Sequence, residues 1–312
     1  MKKICALQMD AIETININAD STFVLGLEAL KRGYDLYHYQ VEDLFYEDGE
    51  VFAFMRPLSL QREQENHFTW LGEVVRMNLK DTDVVWLRQD PPFDMGYITN
   101  THLLDLVKGH TKVVNDPTAI RNAPEKLLVT QFQDLCAPTL ISRNAEVIKE
   151  FREKHKDIII KPLYGNGGAG VFMLRQDDAN LCSLLEMFFA SNNEPVIAQK
   201  FISGVGRGDK RILLINGEAK ACINRIPAKG EARANLHVGG KFAPSDITDR
   251  EREICTRIGG YLRDNGLLFV GIDVIDGYLT EINVTSPTCI QEANSMYDMC
   301  LQSDIWDSIE VS

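Results

Sequence analysis

The stretch Gly271–Pro287, GIDVIDGYLTEINVTSP, sets two apolar runs around an Asp-Gly pair, yet it carries Asp273, Glu281 and Asn283 inside those runs. Carboxylate and amide oxygens are the donors Mg²⁺ prefers, with waters and substrate phosphates filling its remaining positions. Glu281 and Asn283 are two apart on one strand, so they face the same way. Whether Asp273 joins them depends on the turn. A two-residue turn at Asp276-Gly277 pairs Ile275 with Tyr278 and puts Asp273 on the opposite face. A three-residue loop with a left-handed Gly277 pairs Val274 with Tyr278 and gathers all three oxygens. Strand carboxylates are often simply solvated, but the apolar neighbours make these strands read as buried, where an unpartnered carboxylate is costly. The expectation is the three-residue loop and a metal site on Asp273, Glu281 and Asn283.

A second chemical element is KPLYGNGGAGVF, with Gly165-x-Gly167-Gly168-x-Gly170. A dinucleotide fingerprint needs a helix right after the glycines to hold the pyrophosphate. Here VFMLR follows, a β-branched and aromatic strand, and there is no G-K-[ST]. Both the Rossmann and the Walker readings fall, and with them an NAD-dependent oxidoreductase. A glycine-rich hairpin tip can still lay backbone N–H groups against phosphates. Lys161, at the end of the preceding strand, can add a point charge. A flexible hairpin with an exposed lysine explains the same stretch equally well, and Lys126 alone reads as a solvated helix lysine.

These residues need elements to hold them. The chain has 312 residues with ordinary globular composition, enough for two or three domains. Its net charge of −12 argues against nucleic acid or an anionic membrane as the main partner. No apolar run approaches a membrane span, and MKKICALQMD is interrupted too early for a signal peptide. Seven scattered cysteines without C-x-x-C look like reduced thiols, so a cytoplasmic location is expected. KICALQ, DSTFVLGLEALKRGY and DLYHYQV read as strand, helix and strand, and DTDVVWLRQDPPFD, ITNTHLLDLVKG and TKVVND repeat that rhythm. This predicts an N-terminal doubly wound α/β domain over 1–122. Pro91-Pro92 leaves Arg88 and Asp90 at a strand's C-terminal end, where ligands sit in open α/β sheets. A helix over NAPEKLLVTQF opens an α+β unit over 123–202 that holds the glycine loop. A third unit over 203–312 holds the hairpin and a C-terminal helix.

Taken together, QMD-x-I, INI-x-x-DST, R-x-DPPFD, APEK, IIIKPL, GDKR, G-E-x-R-x-N and LTEINVTSPTCI resemble the bacterial-type glutathione synthetases of the ATP-grasp superfamily, over almost the whole chain. The resemblance implies an ATP-grasp fold behind a pre-ATP-grasp α/β domain. It implies ATP-dependent ligation of γ-glutamylcysteine to glycine through an acyl phosphate, with ATP as co-substrate and Mg²⁺, or Mn²⁺ in its place. Carried over by position, Lys126, Lys161, Gly165, Gly167 and Gly168 match the phosphate site, Gln199, Lys200, Phe201 and Ile202 the adenine segment, and Asp209 the ribose. Asp273, Glu281 and Asn283 match the metal ligands. Arg211 and Arg233 match catalytic positions, and Arg88, Arg225, Asn235, Ser286 and Pro287 the dipeptide pocket. Tyr164 and Asn166 depart from the Asp and Met usual in the phosphate loop, Ala234 from a glycine, and His237 from a small residue. The partners implied are small molecules, and the chain is expected to act as a homo-oligomer such as a tetramer.

The inventory suits that chemistry. Phosphoryl transfer needs positioning and neutralisation of spreading negative charge more than covalent help, and the lysines, Arg211 and a metal provide it. No Cys or Ser nucleophile is required, so Cys289 and Ser286 are read as pocket and packing. A D-alanine–D-alanine or glutamate ligase would keep the lysines and metal ligands, but DPPFD and VTSPTCI argue against it. A non-catalytic ATP-binding regulator should have lost Arg211 or the metal ligands. The stretch Ile226–Lys241, polar and glycine-bearing, is expected to be a lid that shields the acyl phosphate from water.

Overall fold

Four short parallel strands organise the N-terminal region: β1 (Ile4–Gln8), β2 (Asp35–Tyr39), β7 (Val84–Leu87) and β8 (Lys112–Val114), in the order β2-β1-β7-β8. All four residues of β7 are buried, as expected for a parallel strand covered on both faces. α1 (Ser21–Lys31) crosses between β1 and β2, and α2 (Met95–Asp105) lies between β7 and β8. Asp20 caps α1 by accepting from the Phe23 amide at 2.6 Å, and Asp94 caps α2 by accepting from Tyr97 at 2.9 Å. The computed structural model describes residues 2–165, 167–227 and 241–311.

The strand–helix rhythm alone does not predict the rest of this sheet. β3 (Leu44–Glu47), β4 (Glu50–Leu60), β5 (Phe68–Trp70) and β6 (Val75–Asn78) extend it antiparallel beyond β2. Asp48 and Gly49 make the β3–β4 turn with φ of 50° and 93°, the left-handed pair that an Asp-Gly hairpin uses.

Instead of the single helix expected over NAPEKLLVTQF, the chain breaks. α3 (Pro117–Asn122) stops before Pro124, α4 (Glu125–Leu128) makes one turn, and a 3-10 segment over Val129–Leu135 follows. The proline excludes its predecessor from helical backbone, and Ala123 sits at φ −122°, ψ 55°.

The next sheet has the order β11-β10-β12-β9, all antiparallel, from β9 (Thr139–Ser142), β10 (Ile158–Pro162), β11 (Phe172–Leu174) and β12 (Val196–Lys200). α5 (Ala145–His155) and α6 (Leu181–Ser191) cover one face, and Ile148, Ile158, Ile160, Leu185 and Ala198 form a core of their own.

The last sheet runs β15-β14-β13-β16-β17: β13 (Asp209–Ile215), β14 (Glu218–Ile226), β15 (Lys241–Pro244), β16 (Phe269–Ile275) and β17 (Tyr278–Asn283). α7 (Asp249–Asp264) begins with a Thr248–Glu251 capping box. α8 (Ile290–Tyr297) and α9 (Leu301–Val311) stand where one C-terminal helix is expected, divided by the left-handed Asp298. This sheet shares its apolar core with the N-terminal one: Leu7, Phe23, Trp86, Leu213, Phe269 and Trp306 lie in one cluster. Asn115 adds a polar joint, donating to the Phe269 and Val284 carbonyls at 2.8 and 2.9 Å and accepting from the Phe269 amide at 2.9 Å.

Candidate active site

The hairpin β16–β17 closes with the two-residue turn, not the three-residue loop expected. Ile275 pairs with Tyr278, and Asp276 and Gly277 take φ of 51° and 78°. Such a turn should send Asp273 to the wrong face. A bulge corrects it. The register shifts between Asp273 and Val274, so Val274 pairs with Leu279 but Asp273 pairs with Glu281, and Thr280 is the extra residue. Thr280 donates its hydroxyl to the Asp273 carbonyl at 3.1 Å. Asp273 and Glu281 therefore sit directly across from each other, and Asn283, two residues on, shares the face. Asn283 donates to the Gly271 carbonyl at 3.1 Å, which orients its amide and leaves Oδ1 as the end available to a cation.

On the neighbouring strand, Arg211 of β13 pairs in register with Asp273. It grips Asp273 with both ends of its fork, Nη2 reaching Oδ2 at 3.0 Å. The side chain lies flat over Gly271, where a Cβ would stand 2.9 Å from Arg211 Cδ, so only glycine leaves room for this arginine. Arg225 of β14 reaches Asp273 at 2.9 Å and Asp209 at 2.6 Å. Burial alone would push the Asp273 carboxyl up, but the Arg211 and Arg225 guanidiniums outweigh it and hold the group well below the usual carboxylate range. Asp209 has the opposite fate. Burial, with the charges of Asp273 and Glu281, outweighs Arg225 and pushes it up to about 7. Arg225 is shared between the two carboxylates, but Asp273 also has Arg211, whereas Asp209 has Arg225 alone within pairing distance among the described residues, and its Oδ1 is buried without a partner among them.

Two lysines close the opposite side, and neither is a solvated surface lysine. Lys161, at the end of β10, is buried and places Nζ 3.1 Å from Glu281 Oε1. Lys126 in α4 is 5% exposed, donates to the Gly165 carbonyl, and lies 3.9 Å from the same Glu281 oxygen. Burial favours a protonated Glu281, but Lys126 and then Lys161 overcome it and keep the carboxyl below its ordinary value. The glycine loop joins two antiparallel strands, β10 and β11, as the sequence predicts. Gly167, Gly168 and Gly170 all adopt positive φ, a backbone region that glycine enters without steric cost.

All of this faces one cavity of about 330 Å³. Gly165, Gly167, Gly168 and the β12 end, Gln199 through Ile202, form one wall; Asp209, Arg211, Arg225, Asp273, Glu281 and Asn283 form the other; Ser286 and Pro287 close an end. Arg88 does not line the cavity but donates to the Pro287 carbonyl behind it at 2.9 Å. Arg233 and Asn235, with Asn166, Ala234, His237 and most of the expected lid, lie outside the described residues.

Sequence reasoning missed Glu125, which lines the cavity beside Lys126 and accepts from the Thr285 hydroxyl at 2.7 Å. Burial raises its pKa against that hydrogen bond, and the charge of Glu281 adds to the rise. The only available signal was its place in APEK. Asp90, Thr285 and Cys289 also line the cavity, Cys289 in a left-handed conformation at φ 81°.

Comparison with known proteins fits this geometry. Residues 3–121 match the model of the prokaryotic glutathione synthetase N-terminal domain, and residues 125–298 that of the prokaryotic glutathione synthetase ATP-grasp domain. A glutathione synthetase of Agrobacterium fabrum is 52% identical over 308 residues, covering 99% of this chain and 96% of the relative. That of Escherichia coli O157:H7 is 41% identical over 305 residues, covering 97% and 96%. The chain belongs to the prokaryotic glutathione synthetase family. Its members are ATP-dependent ligases on the ATP-grasp fold, and this one is an enzyme of that kind. Among solved structures, a D-cycloserine synthetase superposes with a TM-score of 0.68 at 16% identity, covering 98% of this chain and 99% of its own. D-alanyl-alanine synthetase A of Vibrio cholerae reaches 0.63 at 13% identity, covering 99% and 98%. These likenesses are of fold alone. Among the described residues no helix is long and apolar enough to cross a membrane.

Proposed function

We propose that the cavity activates the cysteinyl carboxylate of γ-glutamylcysteine with ATP and joins it to glycine, giving glutathione, ADP and phosphate. The observation that carries this reading is the convergence of Lys126 and Lys161 on Glu281, opposite the Asp273–Arg211–Arg225 cluster, in one cavity. Lys126, Lys161 and the glycine loop hold the nucleotide phosphates, with the loop's backbone N–H groups as donors. Gln199 through Ile202 receive the adenine, and the unpartnered Asp209 Oδ1 accepts from a ribose hydroxyl.

The donor set fits a hard divalent cation. Asp273 and Glu281 are opposed carboxylates, Asn283 presents an amide oxygen beside them, and all three line the cavity. Mg²⁺, or Mn²⁺, would be held there and would neutralise charge on the transferring phosphoryl group. Glu281 now serves as the internal counter-ion of both lysines, and the phosphates of a nucleotide take over that role when bound. Arg211 and Arg225 lie where charge develops as the carboxylate is phosphorylated and then attacked by the amine. Arg211 donates to the tetrahedral oxyanion, an interaction worth about 3–4 kcal/mol in comparable sites.

The seven free cysteines fit a reducing compartment, so we place the protein in the cytoplasm. A homo-oligomer such as a tetramer is the state we expect, and light scattering of the purified chain tests it. The test of function is phosphate release from ATP in the presence of Mg²⁺. Release should require γ-glutamylcysteine and glycine together, whereas equal turnover with D-alanine alone would favour the dipeptide-ligase alternative.

A further inference from the structure

The loop between β10 and β11 is rich in residues that hold no shape by themselves. Gly165, Gly167, Gly168 and Gly170 stand close together, and glycine loses more conformational freedom on ordering than any other residue. Such a loop binds phosphates tightly only if something outside it fixes its position beforehand. Gly165 and Gly170 close down on Pro162, where added Cβ atoms would stand 3.1 and 2.9 Å from its ring. Lys126 reaches over from α4 and donates to the Gly165 carbonyl. Tyr164 lies face to face with Phe93 of the N-terminal region, ring centroids 6.1 Å apart and planes 18° from parallel.

A nucleotide acts on these contacts differently. The Lys126 ammonium is a charge that a phosphate claims, so its bond to Gly165 competes with the ligand. Pro162 ends the strand that carries the loop and moves with it. Of these contacts, only the stack ties the loop to the N-terminal region without drawing on a phosphate-binding group. Phe93 is a firm anchor for it. The residue after it, Asp94, caps α2. The Phe93 ring packs on Tyr97 with centroids 5.2 Å apart, and Tyr97 is fully buried in the core with Leu87 and Leu104. Three rings thus run from the N-terminal core to the loop, at separations where aromatic pairs attract. The seam they close, lined also by Pro124, Leu163 and Thr285, leaves only about 10 Å³, too little for more than one water.

We infer that Tyr164 is a positioning residue: by stacking on Phe93 it holds the glycine loop in place for the nucleotide phosphates before they arrive. The inference rests on the glycine loop being the phosphate site. The fold, and not the ligand, then meets the ordering cost of the loop. The stack should therefore act on nucleotide affinity and leave the chemical step alone. The ring makes the contact, so phenylalanine should serve as well at this position.

The test is titration of the full chain with Mg²⁺ and the β,γ-imido analogue of ATP, followed by steady-state kinetics with ATP, γ-glutamylcysteine and glycine. Tyr164→Ala should raise Kd for the analogue and KM for ATP by roughly three- to tenfold, the worth of one aromatic pair. kcat and the KM values for γ-glutamylcysteine and glycine should stay within about twofold of wild type. Tyr164→Phe should bind the analogue as the wild type does. Phe93→Leu reads the same contact from the other side, and the double variant should bind no more weakly than the weaker single one. A merely structural role would lower urea stability and leave nucleotide affinity unchanged. An unchanged Kd in Tyr164→Ala, an equal loss in Tyr164→Phe, additive losses in the double variant, or a fall in kcat without a rise in KM would overturn the inference. Should Tyr164→Ala fail to fold, Phe93→Leu decides it with every loop residue native. No binding of the analogue by the wild type would overturn the nucleotide reading and the inference with it. Binding without ligation of glycine would overturn the ligation reading alone.

Discussion

The wall of the main cavity and the crevice behind Pro287 treat buried charge in opposite ways. In the wall the two hairpin carboxylates are answered from within: Asp273 by Arg211 and Arg225, Glu281 by Lys161 and Lys126. In the crevice Arg88 has hydrogen bonds but no ion pair among the described residues. The difference lies in where each buried charge finds its compensation. A self-neutralised wall is stable without ligand and must exchange partners when phosphates and a cation arrive.

The largest effect should come from breaking the wall. Asp273→Asn leaves Arg211 buried without its carboxylate and Arg225 with Asp209 alone, and losing one partner of a buried pair costs about 3–5 kcal/mol. Urea unfolding should show a loss of that order; a loss below about 1 kcal/mol would mean that the cluster is already open to water.

Glu281→Gln alters one atom in the same wall but leaves the strand pairing intact. Phosphate release should fall by roughly 10²–10³-fold or more, while circular dichroism still reports a folded chain. Turnover within about tenfold of wild type would remove Glu281 from the reaction.

A smaller effect concerns Asp209, the undercompensated member of the wall. Its folded pKa, about 7, lies above the ~3.9 of an unfolded aspartate. Between those values the folded state binds the extra proton, so stability falls as pH rises toward 7 and the loss levels off above it. The slope should approach about 1 kcal/mol per pH unit near pH 5–6.5. Asp273 works in the other direction: its folded pKa is depressed, so its contribution is present above ~3.9 and is lost only in stronger acid. Asp209→Asn should therefore flatten the pH dependence of urea stability between pH 5 and 7 and leave the acid limb in place. An unchanged profile would assign the slope to another group.

The smallest effect should fall on the crevice. Arg88→Gln removes a charge that no ion pair among the described residues neutralises, so relief of desolvation and loss of two hydrogen bonds should nearly cancel, to within about 1 kcal/mol. A urea-measured loss as large as that of Asp273→Asn would erase the contrast between the two regions.

Much of the site is legible in the chain itself. The strand after Gly170 excludes a dinucleotide loop, because a helix terminus and a strand offer different donors. The alternation of β17 places Glu281 and Asn283 together, because strand side chains repeat every two residues. The turn is where expectation and structure part, since Asp276-Gly277 does form the tight pair its residues favour and the correction comes from a bulge that no local pattern announces. Lys126 reads as surface because helix periodicity carries no information about the glycine loop folding over it. Glu125 gives no sign beyond standing next to that lysine.

The sequence by itself determined the kinds of chemistry available: oxygen donors in a buried hairpin, glycines at a strand turn, lysines and arginines in supply, and family motifs spread along the whole chain. Only the tertiary structure decided who neutralises whom. Asp273 meets Arg211 across 62 residues of chain and Lys161 meets Glu281 across 120. Local propensity fixes neither pairing: the first depends on the pairing and register of two distant strands of one sheet, the second on how two separate sheets are brought together. The same holds for Arg88, whose lack of an ion pair among the described residues is a fact about its surroundings. Electrostatic energy depends on distance in space and on burial, and both are properties of the folded chain.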